Sequence, residues 1–170
     1  LEKTLRNAVA SANIELFDMS ASEQGLSGMG TTAVIALIKD GEAVIANVGD
    51  SRIYLVNEEI KQLTRDHSVV QSLIESGKIT PEDAKFHPRK NVITRAIGAE
   101  GTVTADSDII KLNSGDTLLL CTDGLSNYLD DNEILSVFKN TDISSVPDTL
   151  VEKANENGGG DNITVVTLTE

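Results

Sequence analysis

The sequence predicts an α+β domain in which mainly antiparallel strands are layered with helices. Three observations carry that expectation. β-branched runs follow one another through short polar connections, and amphipathic helical stretches bracket them. The composition agrees: 39% of residues are hydrophobic, but only 3% are aromatic and none is tryptophan. A core drawn from Val, Ile, Leu and Ala suits strands packed under helices.

Along the chain, Leu5, Ala8, Val9, Ala12 and Leu16 make a helical apolar stripe within residues 1–19. Residues 20–30 read as a loop of small residues with Gly25, Gly28 and Gly30. Residues 31–39 and 42–48 are strands about Asp40 and Gly41, a strong hairpin signal. Residues 52–56 and 60–63 form a second pair about Asn57, Glu58 and Glu59. Residues 68–76 and 80–85 read as short helices, broken by Gly77, the second opened by Thr80, Pro81, Glu82 and Asp83. This middle section has the character of an insertion. Strands resume at 102–112 and 116–122, helices follow at 130–139 and 146–155, with Pro147 in the first turn of the second, and a strand at 162–168 closes the chain.

At 170 residues the chain fits a single domain that buries about two thirds of its unfolded surface. The net charge of -13 disfavours nucleic acid and anionic lipid surfaces as partners. No segment approaches the roughly 18 uninterrupted apolar residues of a membrane span, so a soluble protein without a membrane partner is expected. The single cysteine, Cys121, cannot form an internal disulfide and fits a reducing, cytoplasmic setting. Leu1 is not an initiator Met, and the apolar stripe starts almost at once. The expectation is a chain that begins inside something larger.

Three carboxylates stand in glycine turns at strand ends. Asp123 follows the apolar run Leu118 to Cys121 and precedes Gly124; Asp161 follows Gly158, Gly159 and Gly160; Asp50 lies between Gly49 and Ser51. A sheet holds such a position rigidly, while the glycine admits a ligand or a second backbone. Each turn alone also reads as an ordinary Asp-Gly or glycine loop. Jointly they suggest an acidic pocket for Mg²⁺ or Mn²⁺, hard cations that take oxygen ligands and keep several waters.

Other chemistries fall away. Asn127 stands where a cysteine-based phosphatase loop on Cys121 would need an arginine, so Cys121 reads as a buried core residue. Neither nucleotide-binding glycine fingerprint is met. The segment from Asp123 to Glu133 places its glycine second rather than sixth, which fails the calcium-loop pattern. His67 and His87 read as surface or turn residues, and Ser51 and Ser126 have no evident base.

Six motifs in order then carry a resemblance. They are Gly28-Met29-Gly30-Thr31-Thr32, Val48-Gly49-Asp50-Ser51-Arg52, Leu63-Thr64-Arg65-Asp66-His67-Ser68, Ile93-Thr94-Arg95-Ala96-Ile97-Gly98, Cys121-Thr122-Asp123-Gly124-Leu125 and Gly159-Gly160-Asp161-Asn162-Ile163-Thr164. The set resembles the type 2C metal-dependent serine/threonine protein phosphatases, most closely their compact bacterial members. The resemblance implies a β-sandwich of two antiparallel sheets flanked by helices, with the family's N-terminal strands missing. It also implies two or three Mn²⁺ or Mg²⁺ ions in the complete domain, with Asp123 and Asp161 as metal-binding carboxylates and Asp50 joining Asp123 at an additional ion. Residues 68–95 correspond to a flap subdomain beside the site.

The implied reaction is hydrolysis of phosphoserine and phosphothreonine in proteins by a metal-activated water, with no phosphoenzyme. The implied partners are phosphorylated proteins and a bacterial serine/threonine kinase. The family's phosphate-binding arginine, its acidic motif and its Asp-Gly-Met-Gly-Gly-His segment do not occur in this sequence. Missing strands would leave sheet edges that invite dimerisation. Two readings stay open: a protein phosphatase, and a catalytically deficient pseudophosphatase module that binds phosphoproteins or a kinase. An acidic Mg²⁺-binding domain unrelated to phosphate is a third.

Overall fold

The computed structural model describes residues 1–169, which divide into two compact units. The first comprises residues 1–50 and 65–111, the second residues 51–64 and 112 onward. Both expected antiparallel sheets are present, one in each unit.

In the first unit, helix α1 (Glu2–Ser22) leads into strands β1 (Ala33–Lys39) and β2 (Glu42–Val48), and β5 (Asp106–Lys111) completes a sheet of order β1-β2-β5. The β1-β2 turn is the one its sequence dictates. Asp40 and Gly41 both take positive φ, 53° and 75°, the geometry that matches a two-residue turn to the right-handed twist of the strands. Val9 of α1 is buried with Ala46, Val48, Ile97 and Ala105, and Leu5 packs against them. Asn13 is buried on the same stripe, where its Nδ2 donates to the Glu100 carbonyl at 3.0 Å and its Oδ1 accepts from the Gly98 N–H at 2.8 Å. An amide that fills its hydrogen bonds this way is tolerated among apolar neighbours.

Between the sheet strands the same unit carries α2 (Val69–Glu75) and α3 (Pro81–Ala84). The Thr80 start forms a reciprocal capping box with Asp83. The two ends of this excursion are pinned together. Ser68 and Ile93 form a bridge, Val69 N–H donates to the Val92 carbonyl at 2.9 Å, and Thr94 N–H donates to the His67 carbonyl at 2.7 Å.

The second unit is a sheet of order β4-β3-β6-β7, built from β3 (Arg52–Val56), β4 (Ile60–Gln62), β6 (Thr117–Cys121) and β7 (Val165–Thr169). Helices α4 (Asp123–Ser126), α5 (Asp131–Asn140) and α6 (Val146–Glu156) accompany it. Tyr54, Leu119 and Cys121 from the sheet meet Leu125, Ile134 and Leu150 from the helices in one aliphatic core. Cys121 is therefore the buried core residue its sequence context suggests.

Several boundaries differ from the sequence reading; α1 runs to Ser22 rather than 19, and β1 starts at Ala33 rather than 31. The strand expected over 102–112 starts only at Asp106. The Arg95 guanidinium takes the Thr104 carbonyl at 2.9 Å, which removes that group from any ladder despite the β-branched run. The closing strand begins at Val165 rather than 162, and Asp123–Ser126 adds a helical turn that the sequence reading left as a simple turn.

Leu119 is fully buried in the second core. Leu119→Ala is expected to lower stability by about 2–5 kcal/mol through lost burial and a residual cavity, read as a lower urea midpoint at unchanged slope.

Candidate metal centre

Strand β6 delivers Asp123 to the edge of the second unit's core. Thr122 links it to the closing segment: its N–H donates to the Thr164 carbonyl at 3.1 Å, and its hydroxyl accepts from the Thr164 N–H at 3.0 Å. The same hydroxyl donates to the Asn162 carbonyl at 3.3 Å. Gly124 then passes so close to that strand entry that a Cβ there would collide with the Asn162 carbonyl oxygen. Only glycine permits this approach. The result sets the backbone after Asp123 directly against the backbone after Asp161.

The second glycine run is equally constrained. A Cβ on Gly160 would strike the Tyr128 hydroxyl, and one on Gly159 would lie 2.6 Å from Asn155 Oδ1. Gly158 and Gly159 have φ of 137° and 51°. The Tyr128 hydroxyl accepts from the Gly160 N–H at 3.0 Å, and Asn157 Nδ2 donates to the Tyr128 carbonyl at 2.9 Å. Tyr128 thus buttresses the loop that presents Asp161, whose Oδ1 accepts from the Asn162 N–H at 2.7 Å. The sequence reading missed this residue; the triple glycine signals that a bulky neighbour must be accommodated, without saying which one.

Asp123 is half-buried, and its pKa is raised above the ordinary carboxylate range, first by burial and then by the negative charge of Asp161. The Gly124 N–H, Asn127 and Arg52 pull the other way and do not cancel it. Asn127 Nδ2 donates to Asp123 Oδ2 at 3.2 Å. Two carboxylates that repel each other, one of them partly desolvated, form a donor set that a hard divalent cation fits, because its charge relieves both penalties. Among the described residues no group of three or more His, Cys, Asp or Glu side chains is arranged to enclose a metal ion. Mg²⁺-type ions held by one or two carboxylates and several waters need no such cage.

Of the three carboxylates singled out in the sequence, the structure brings Asp123 and Asp161 together in the second unit; Asp50 belongs to the first. There it follows Gly49, which has φ of 109° and lies where a Cβ would collide with Thr32. His67, read from sequence as a surface or turn residue, is buried at 2% exposure. Its Nδ1 accepts from the Gly49 N–H at 3.0 Å and its Nε2 faces Asp106 Oδ2 at 3.0 Å, so Nε2 carries the proton in the neutral ring. Asp106 is in turn bound by Arg95 at 2.6 Å. His67 therefore braces the turn that carries Asp50. Polar neighbours in sequence concealed a buried histidine because its partners lie 18 and 39 residues away.

Two outcomes follow from this geometry. Tyr128→Phe is expected to cost about 0.5–1.5 kcal/mol by removing one hydrogen-bond acceptor, and amide exchange should accelerate at residues 159–162. Asp123→Asn addresses the charge. A carboxyl whose folded pKa is raised binds protons more readily in the folded chain, so its metal-free stability is fully present below the ordinary carboxylate range. That stability is lost as pH rises through the raised value. Metal-free Asp123→Asn should therefore melt above the wild type at pH 7, and thermal scans should show the gap closing under acid.

The chain matches the family model for Protein phosphatase 2C over residues 1–163. It is 45% identical over 168 residues to the serine/threonine phosphatase stp of Listeria monocytogenes serovar 1/2a, covering 98% of this chain and 67% of that protein. The crystal structure of the serine/threonine phosphatase Stp1 from Staphylococcus aureus superposes with a TM-score of 0.97 at 41% identity, covering 100% of this chain and 68% of that one. The catalytic domain of the serine/threonine protein phosphatase PstP, in complex with 2 manganese ions, gives a TM-score of 0.89 at 34% identity over 98% of this chain and 70% of that one. The chain thus spans about two thirds of the length of these relatives. With a family match over nearly its whole length and relatives of this identity, the chain belongs to the protein phosphatase 2C family of serine/threonine phosphatases.

Proposed function

We propose that this chain hydrolyses phosphoserine and phosphothreonine in proteins with the help of Mn²⁺ or Mg²⁺. The observation that supports it most is the convergence of Asp123 and Asp161 through the Gly124 contact. Asp123 and Asp161 would hold the cation pair. Asp50 is assigned to an additional ion on its place in the matching motif. When bound, the cations supply the Lewis acidity that makes water nucleophilic at neutral pH. Asn127 holds the Asp123 carboxylate in place, and Thr122 and Tyr128 fix the two loops that present the ligands. Water attack at phosphorus breaks the bond to the serine or threonine oxygen and releases the alcohol and inorganic phosphate.

The same reading takes in a flap subdomain over residues 68–95, a serine/threonine kinase as the source of the phosphorylated proteins, and self-association through the edges of the three-stranded sheet. A reducing, cytoplasmic setting accords with the single buried cysteine. Among the described residues no helix is long and apolar enough to cross a membrane.

The test is phosphate release from a phosphothreonine peptide with and without Mn²⁺, with Asp123→Asn beside the wild type. Release that requires Mn²⁺ and drops at least about a hundredfold in the variant is expected, since the metal supplies several kcal/mol of transition-state stabilisation. Metal-independent release, or a variant as active as the wild type, would refute the reading.

A further inference from the structure

From Ala84 to Ala99 the chain contains no acidic residue, in a protein that holds 27 Asp and Glu and carries a net charge of -13. Lys85, Arg89 and Lys90 all lie exposed in this stretch. Among the described residues none of the three has an ion-pair partner. Between them stands Phe86, 88% exposed, one of only three phenylalanines in the chain. Val92 and Ile93 follow, also exposed.

This segment is ordered. Phe86 N–H donates to the Asp83 carbonyl and His87 N–H to the Ala84 carbonyl, each at 3.2 Å; Lys90 N–H donates to the His87 carbonyl at 3.0 Å and Arg89 N–H to His87 Nδ1 at 3.1 Å. Consecutive turns therefore hold an aromatic ring and three cations outward on a fixed backbone. Such an arrangement adds little to the fold, since the ring buries almost no surface and the cations form no ion pair among the described residues.

We propose that residues 85–90, with Phe86 as apolar anchor, dock an acidic segment of the substrate protein that carries an apolar residue. Rigid aromatic anchors beside exposed cations supply affinity and charge selection together. A short peptide segment meets only this patch, within about one Debye length of roughly 8 Å. Nucleic acid or an anionic membrane would extend past it onto a surface dominated by carboxylates and be repelled. The proposal rests on the protein-phosphatase reading for its occupant.

The experiment compares wild type with the charge-reversed K85E/R89E/K90E protein and with Phe86→Ala. Three probes are used: p-nitrophenyl phosphate, a phosphothreonine peptide flanked by Glu and Leu, and the same peptide with every Glu replaced by Gln. The wild type is expected to favour the acidic peptide by about tenfold in kcat/KM, as three exposed charge contacts acting together would give. Charge reversal should abolish that preference, Phe86→Ala should reduce it, and both should leave p-nitrophenyl phosphate hydrolysis within about twofold. A wild type without preference, or a preference that survives charge reversal, overturns the proposal.

Fluorescence anisotropy with an unphosphorylated, labelled acidic peptide separates the two readings. Binding that charge reversal abolishes, in a protein that hydrolyses nothing, keeps the docking surface and rejects the phosphatase reading. Equal binding by both proteins rejects the docking surface alone. A labelled oligonucleotide or phosphatidylserine vesicles binding as tightly through the same residues would reject the peptide as occupant.

Discussion

At Gly124 two stretches of backbone meet with no space for a side chain between them, and the placement of the acidic residues rests on that contact. The Thr122 hydroxyl bonds both the Asn162 carbonyl and the Thr164 N–H, so the approach is a hydrogen-bonded clamp rather than mere proximity. Its electrostatic cost is visible in the raised pKa of Asp123. Folding brings like charges together, and the cores supply the stability that keeps them there. A protein whose loops were free to separate would relieve the repulsion by moving apart. Here the glycine contact, the threonine clamp and Tyr128 oppose that escape.

Each compact unit makes its core almost entirely from aliphatic side chains. In the first, Val9 meets Ala46, Val48 and Ile97; in the second, Leu119, Leu125, Ile134 and Leu150 surround Tyr54. Small and branched residues leave little volume for irregular packing, so shape is set at the connections. Positive-φ positions such as Asp40, Gly41 and Gly49 fix where the chain reverses, and these reversals place Asp50 and align β1 on β2.

Much of this was legible in the sequence for identifiable reasons. Asp40-Gly41 announced a tight hairpin because few other residues accept its dihedral angles. The Thr80 box and Pro147 marked helix starts because their chemistry is local. Asp123 and Asp161 drew notice because glycine is conspicuous at a strand end, and the structure sets their charges near one another. What escaped depends on long-range partners. Thr102, Val103 and Thr104 have strand-forming side chains, yet Arg95 claims the Thr104 carbonyl. His67 lies in a polar stretch, yet Gly49 and Asp106 enclose it. Tyr128 and Asn13 carry no local signature of the loops they support, since residues distant in sequence define their roles.

Both compact units are discontinuous, the first interrupted by residues 51–64 and the second by residues 65–111. During synthesis, β3 and β4 leave the ribosome early, but β3 pairs with β6, which follows the whole of residues 65–111. The nascent β3-β4 hairpin must therefore wait with one edge unpaired, and closing that long loop is entropically slow. The turns that carry Asp123 and Asp161 come together later still, because β7 docks on β6 only once residues 165–169 are made. The approach of Asp123 to Asp161 is thus completed only after β7 is made, and a chain arrested shortly before it would expose the edge of β6.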